Sequence, residues 1–385
     1  MKFSVLLMTI GMVFSQAGWS AAPDVFYYVT SSHYGANKDE IGTIKDLNIK
    51  KTTVLVTDFH AKYPSEIEVA SDAGTGNFAI LTSYEGVGEL NFKKKGHFCA
   101  YGNVKTGLEG FIAAGSDWGK FELRPFFSKD GSKLFSYGLF MYVTSMNIYD
   151  IGTKKFSKYF YNKWPKMFKG KGSDMLIGTT LADDEKRVAF IYGDSGNGSI
   201  YVAFQEKDPI KILSSKKILD KELAFFGDTI FYYEFQDMKD FIKKFTLCAV
   251  DVKTQKTKKV FEYSMSEGKY SAYPLPPMVY DPVNNVVFFR DAPNKGSDEL
   301  SDIYVLDMET METELLIENT LGLYAVSADG KYLLYGARVD PDAKFSYPSE
   351  NDPECIGIYD LQSGKTKQLK VPGAVKFEYL NFVEK

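Results

Sequence analysis

Cysteine, histidine and tryptophan each occur only three times in 385 residues, and this scarcity narrows the chemistry open to the chain. Cys99, Cys248 and Cys355 are odd in number and far apart, so they define no disulfide framework and are expected to be buried free thiols. Charge of either sign is not in excess: 46 Lys and Arg face 50 Asp and Glu, a net charge of -4, which argues against nucleic-acid binding across the surface as a whole. Long apolar runs are missing as well. Apart from residues 3–14, no stretch approaches the ~20 apolar residues a membrane helix needs. Neither a G-x-S-x-G elbow nor a phosphate-binding glycine loop is present.

The one apolar run sits behind Lys2 and ahead of small and polar residues that reach Ala22, the order of a secretory signal peptide. Residues 1–21 are therefore expected to be a signal peptide, cut between Ala17 and Ala21, and residues 22–385 a single mature domain. No Cys follows the run, so no lipoprotein anchor is expected. The mature protein is expected in the periplasm or outside the cell.

What the chain has in abundance is aromatic residues, 15% of the total, and they recur in a pattern. Residues 326–336 read VSADGKYLLYG: an apolar entry, a polar turn at Ala328-Asp329-Gly330 and an apolar exit. Residues 127–135 repeat it as FSKDGSKLF, and looser copies lie at 181–190, 280–289, 71–81 and 227–233. A second signature follows downstream, in IYDIGTK at 148–154, AVDVKTQK at 249–256, VLDMETME at 305–312 and IYDLQSGK at 358–365, with weaker forms at Asp46 and Asn103. In each, the Asp or Asn can bond the backbone beyond it, and the residue after the Thr or Ser takes the positive φ that such turns need. Together the two signatures mark four short strands per unit, repeated roughly every 50 residues, the pattern of a β-propeller blade.

About seven such units fit between residue 25 and the end. The first holds only three strands, and a spare strand at residues 375–383 is the one that would complete it. The expected fold is thus all-β: a seven-bladed propeller of four-stranded antiparallel blades, its ring closed by the C-terminal strand joining the N-terminal blade. Closure removes the free sheet edges that invite aggregation.

The turns at 127–135 and 326–336 resemble those of the TolB-like, WD-type β-propeller superfamily, and the resemblance spans the mature chain. It implies a propeller-only secreted member whose ring is a platform for a protein or cell-envelope component. No nucleic acid, no transmembrane segment and a monomeric state go with that expectation.

Candidate site residues fall at one end of the predicted blades, where second strands lead to third and fourth strands lead to the next blade. His33, His60 and His97 all lie there. Three imidazoles on adjacent blades can hold a divalent metal, and some propeller lyases that cut acidic sugars use a His-bound metal; the other reading is three unrelated loop histidines. Asp194, Asp237, Arg290, Asp291, Arg338 and Asp340 are expected to line the same mouth, with Arg290 and Arg338 as ligand-binding cations. The insertion at 340–354, rich in Pro and acids, is read as a cap without the spacing of a calcium loop. GDSGNG at 193–198 is similar to a chymotrypsin-type nucleophile motif, but no matching histidine motif accompanies it and turn conformations explain its glycines.

The densest surface feature is residues 152–173, with seven lysines, six aromatics and no acid. Lys163, Trp164, Lys166, Lys169 and Lys171 could hold an anionic glycan, lipid headgroup or acidic protein by charge and ring stacking. The alternative is an outer strand whose lysines keep a sheet edge soluble. Binding rather than catalysis is the favoured function, with a metal-dependent lyase or hydrolase on a polysaccharide or small ester as the competing one.

Overall fold

The computed structural model describes residues 23–30, 39–59, 67–82, 98–114, 123–140, 143–158, 175–194, 197–204, 207–237, 242–266, 278–291, 300–339 and 353–384. Its strands form seven separate four-stranded antiparallel sheets, so the chain is a seven-bladed β-propeller.

Blade two runs through Ile67–Ser71, Asn77–Thr82, Phe98–Asn103 and Gly107–Ala114. Blade three follows with Leu123–Phe127, Lys133–Phe140, Val143–Asp150 and Lys155–Lys158, and blade four with Met175–Leu181, Arg187–Asp194, Asn197–Phe204 and Lys207–Ser215. Blade five comprises Ile218–Phe226, Thr229–Asp237, Ile242–Asp251 and Thr257–Ser266. Blade six comprises Val279–Asp281, Val286–Arg290, Ser301–Asp307 and Thr313–Thr320, and blade seven Gly322–Val326, Tyr332–Arg338, Glu354–Asp360 and Thr366–Leu369. In each, sequence order is also sheet order.

Blade one differs. Asp24–Thr30, Asp39–Ile44 and Thr52–Phe59 supply its second, third and fourth strands, and its first is Lys376–Val383 from the opposite end of the chain. The two termini pair antiparallel from Asp24 opposite Val383 to Thr30 opposite Lys376, with one irregularity after Tyr28. The expected closure is thus the observed one.

Local chemistry sets the turns. Between first and second strands, the Ser327 hydroxyl donates to Asp329 at 2.7 Å and accepts from the backbone N–H of Tyr332 at 2.9 Å, while Gly330 takes φ +66°. Ser128, Asp130 and Gly131 repeat this in blade three. Between third and fourth strands, Asp150 and Asp251 each accept from the backbone and hydroxyl of the Thr three residues on. Asp307 and Asp360 accept two backbone N–H groups apiece. The residues after these turns, Lys154, Gln255, Met311 and Gly364, all have positive φ.

Packing follows from the strand period of two. Val286 and Phe288 face blade seven while Val287 and Phe289, between and beyond them, face blade five. Val25 and Tyr27 likewise pack on blade seven, Phe26 and Tyr28 on blade two. The apolar core is consequently seven clusters, each filling one seam between neighbouring blades. A second strand with a blade against each face reads as a continuous apolar run, as in the fully buried Tyr332–Arg338. Outer strands, where the blades splay apart, meet solvent along most of their length, as Thr313–Thr320 does, with only Thr320 buried.

Candidate functional site

Antiparallel order places all connections from second to third strands, and from each fourth strand to the next blade, at one end of the ring. At that end the second strands of blades six and seven finish on Arg290 and Arg338. Both were expected in loops; both are strand ends, because the strand pairing continues one or two residues beyond the apolar run.

Arg290 is half-buried. Its Nε donates to the Ser301 hydroxyl at 2.5 Å and its Nη2 to the Thr320 carbonyl at 3.3 Å. Ser301 and Thr320 are themselves buried and joined by a 2.8 Å bond from Thr320 Oγ1 to the Ser301 carbonyl. Next in sequence, Asp291 is buried and accepts the Asp302 backbone N–H at 2.8 Å; burial pushes its carboxyl up to about 6.

Arg338 is only 7% exposed and lies opposite Glu354 in the ladder. Its carbonyl accepts from the Gln368 side chain at 3.4 Å. Glu354, read from sequence as the last residue of the capping insertion 340–354, is the buried first residue of a third strand, 2% exposed. It accepts the Phe377 N–H at 2.8 Å, its carboxyl oxygen stands 3.1 Å from the Tyr324 hydroxyl, and burial pushes its carboxyl up to about 8. Sequence reasoning missed Glu354 and Tyr324 because an acid followed by Cys-Ile-Gly-Ile carries no mark of being neutralised by a distant strand.

Asp194 and Asp237 end the second strands of blades four and five at the same end of the ring. His33, His60 and His97 lie outside the described residues, as do Asp340, Lys163, Trp164, Lys166, Lys169 and Lys171. Of the basic segment, residues 155–158 form the outer strand of blade three and residues 152–157 are exposed. Among the described residues, no group of three or more His, Cys, Asp or Glu could hold a metal ion, and no helix is long and apolar enough to cross a membrane.

The arrangement is therefore a polar ring end in which two arginines from adjacent blades sit among buried carboxyl and hydroxyl groups. A half-buried guanidinium such as that of Arg290 can meet carboxylate or phosphate oxygens, whereas Arg338 is buried.

No protein-family model and no curated protein matches the chain. Solved structures do. An oligogalacturonate lyase from Vibrio parahaemolyticus aligns over 91% of this chain and 86% of its own, at 12% identity and TM-score 0.51. A candidate 6-phosphogluconolactonase from Bacteroides fragilis aligns over 96% of this chain and 100% of its own, at 10% identity and TM-score 0.50. A TolB from Acinetobacter baumannii covers 96% of this chain and 86% of its own, at 11% identity and TM-score 0.46. The likeness is one of fold. At these identities it places the chain among β-propellers, in accord with the seven sheets, and leaves the chemistry to the residues.

Proposed function

We propose that this protein is a non-catalytic binding or scaffold propeller of the periplasm or cell exterior, recognising an acidic protein or envelope glycan. The observation that carries the reading is the placement of Arg290 and Arg338 at equivalent strand ends of adjacent blades, at one end of a closed ring. A guanidinium already held by Ser301 and Thr320, as that of Arg290 is, needs little ordering when a ligand arrives. The leader-like order of residues 1–21 supports the compartment, and the seven lysines and Trp164 in the sequence of residues 152–173 support recognition of an anion.

The test combines crosslinking in the native envelope with binding to acidic glycans, using the wild type and a variant with Lys163, Lys166, Lys169 and Lys171 replaced by Glu. Binding that is lost on charge reversal, with the thermal midpoint retained, supports the reading; binding unchanged in the variant removes the basic segment from it.

The competing reading is a metal-dependent lyase or hydrolase acting on a polysaccharide or small ester through His33, His60 and His97. What supports it is that the strand ends nearest these residues, Thr30, Phe59 and Phe98, belong to the same end of the ring as Arg290 and Arg338. Stoichiometric metal in protein purified without chelator or affinity metal, absent from a His60→Ala variant, would replace the binding reading with this one.

A further inference from the structure

We propose that the ring is clasped through a protonated carboxyl, that of Glu354, and that loss of this proton loosens the joint between blade seven and the C-terminal strand, making closure pH-sensitive.

The argument begins with where Glu354 lies. Blade one is the blade assembled from both ends of the chain, and its first strand, Lys376–Val383, reaches the rest of the ring through blade seven on one side. Glu354 sits at that seam. Its carboxyl passes over Gly336, where any Cβ would fall on the Glu354 side-chain oxygen, and bonds the main chain of the C-terminal strand at Phe377. Glu354 also donates its own backbone N–H to the Val375 carbonyl at 2.9 Å.

Counting hydrogens then favours one protonation state. The Tyr324 hydroxyl has one proton and two oxygens to serve: the Phe377 carbonyl at 2.7 Å and Glu354 Oε1 at 3.1 Å. Donated to the nearer carbonyl, that proton leaves the tyrosine oxygen facing Oε1, and the contact becomes a hydrogen bond when Oε1 carries a proton of its own. A neutral Glu354 completes a closed loop. The Phe377 N–H donates to Oε2, the Oε1 proton donates to Tyr324, and Tyr324 donates to the Phe377 carbonyl, so one residue of the C-terminal strand is held at both its main-chain groups. An ionised Glu354 keeps the Tyr324 hydrogen bond only by taking that proton from the nearer Phe377 carbonyl, and it remains a buried anion.

Among the described residues, the surrounding charges do not rescue that anion. Lys376, on the C-terminal strand, is paired with Glu378 at 3.4 Å, so its attraction comes with an opposing repulsion. Arg338 is the backbone partner of Glu354, and Arg290 of blade six bears on Tyr324. Burial outweighs them and raises the carboxyl to about 8, from 4.5 in an open chain. Between those values the folded protein holds a proton that the unfolded chain lacks. This group's stabilisation is therefore complete below the lower value and lost as pH rises through the upper one.

The experiment follows thermal unfolding and amide exchange of residues 376–383 from about pH 5 to about pH 9, in the wild type and in Glu354→Gln. Gln keeps an acceptor for Phe377 and a donor for Tyr324 without a titrating proton. The expected result is a wild-type midpoint that falls by several degrees between about pH 5 and about pH 8 and levels off above it, with faster exchange at Phe377, and a flatter profile for the variant. Identical slopes in the two proteins overturn the proposal. A direct reading on the wild type stands beside it should the variant fail to fold: the infrared band of a protonated carboxyl should be present at about pH 7 and gone by about pH 9. Its absence at the lower pH also overturns the proposal.

Discussion

Asn284 of blade six donates its side-chain amide to the carbonyl oxygen of Gly330 in blade seven, at 2.9 Å. Asn77 of blade two reaches Gly131 of blade three in the same way, at 3.1 Å. In these two pairs the turns that shape a blade also tie it to the next, at the end of the ring opposite Arg290 and Arg338.

That latch gives the first prediction. Asn284→Ala removes two hydrogen bonds, to the Gly330 carbonyl and to Asp281 Oδ2 at 2.6 Å, about 2 kcal/mol in all. Gly330→Ala should cost more. It places a Cβ at φ +66°, about 1 to 2 kcal/mol by itself, and within 2.6 Å of Asn284 Nδ2 and 2.9 Å of Val283 Cβ. Denaturant unfolding of both variants decides the order, and a Gly330→Ala variant as stable as the wild type would contradict the turn geometry.

Deleting residues 375–385 strips blade one of its first strand and exposes the pairing edge of Asp24–Thr30. It also removes Phe377, Leu380 and Phe382 from the seam with blade seven. Each such side chain contributes roughly 1.5 to 3 kcal/mol on burial. Cooperative unfolding is expected to disappear in calorimetry, and a truncated protein with the wild-type midpoint would refute the closure scheme.

Left-handed residues offer a gain instead of a loss. Lys154 and Gln255 hold φ +56° at the position where Gly364 serves blade seven. Replacing either by Gly should stabilise by about 0.5 to 1 kcal/mol, the relief of left-handed strain less the extra chain entropy of glycine. The neighbouring Lys256→Gly is the control and should not stabilise, as read from denaturation midpoints.

The three thiols are predicted to be silent. Cys99, Cys248 and Cys355 are free and buried, and burial pushes the first two up to about 12 and about 11. A thiol reagent at neutral pH should therefore find no rapid site in the native protein and three after unfolding, since the thiolate is the reactive form. Rapid labelling of any one thiol in folded protein would place that cysteine at the surface.

Much of the fold was legible because its signals are short-ranged. The Asp150, Asp251, Asp307 and Asp360 turns are closed by groups two or three residues away, so reading them needs no knowledge of the rest of the chain. The apolar runs VVFF at 286–289 and YLLYGA at 332–337 announce strands covered on both faces. The candidate site was legible in its location and not in its chemistry. Arg290 and Arg338 were recognisable as residues of one and the same ring end. Their burial and hydrogen bonding were not, because these come from Ser301, Thr320 and Gln368 across strand pairs.

The sequence by itself determined the number of blades, the turn conformations and the strand that closes the ring, since each rests on local hydrogen bonding or on the two-residue alternation of a strand. Tertiary structure alone decided which ionisable groups are charged. Glu354 becomes a neutral clasp only when Tyr324 and Phe377 are brought around it and water is excluded. Tyr379 likewise meets Ser71 from the far end of the chain. Desolvation depends on everything that surrounds a group, and the groups that surround these two come from strands the chain reaches only by closing its ring.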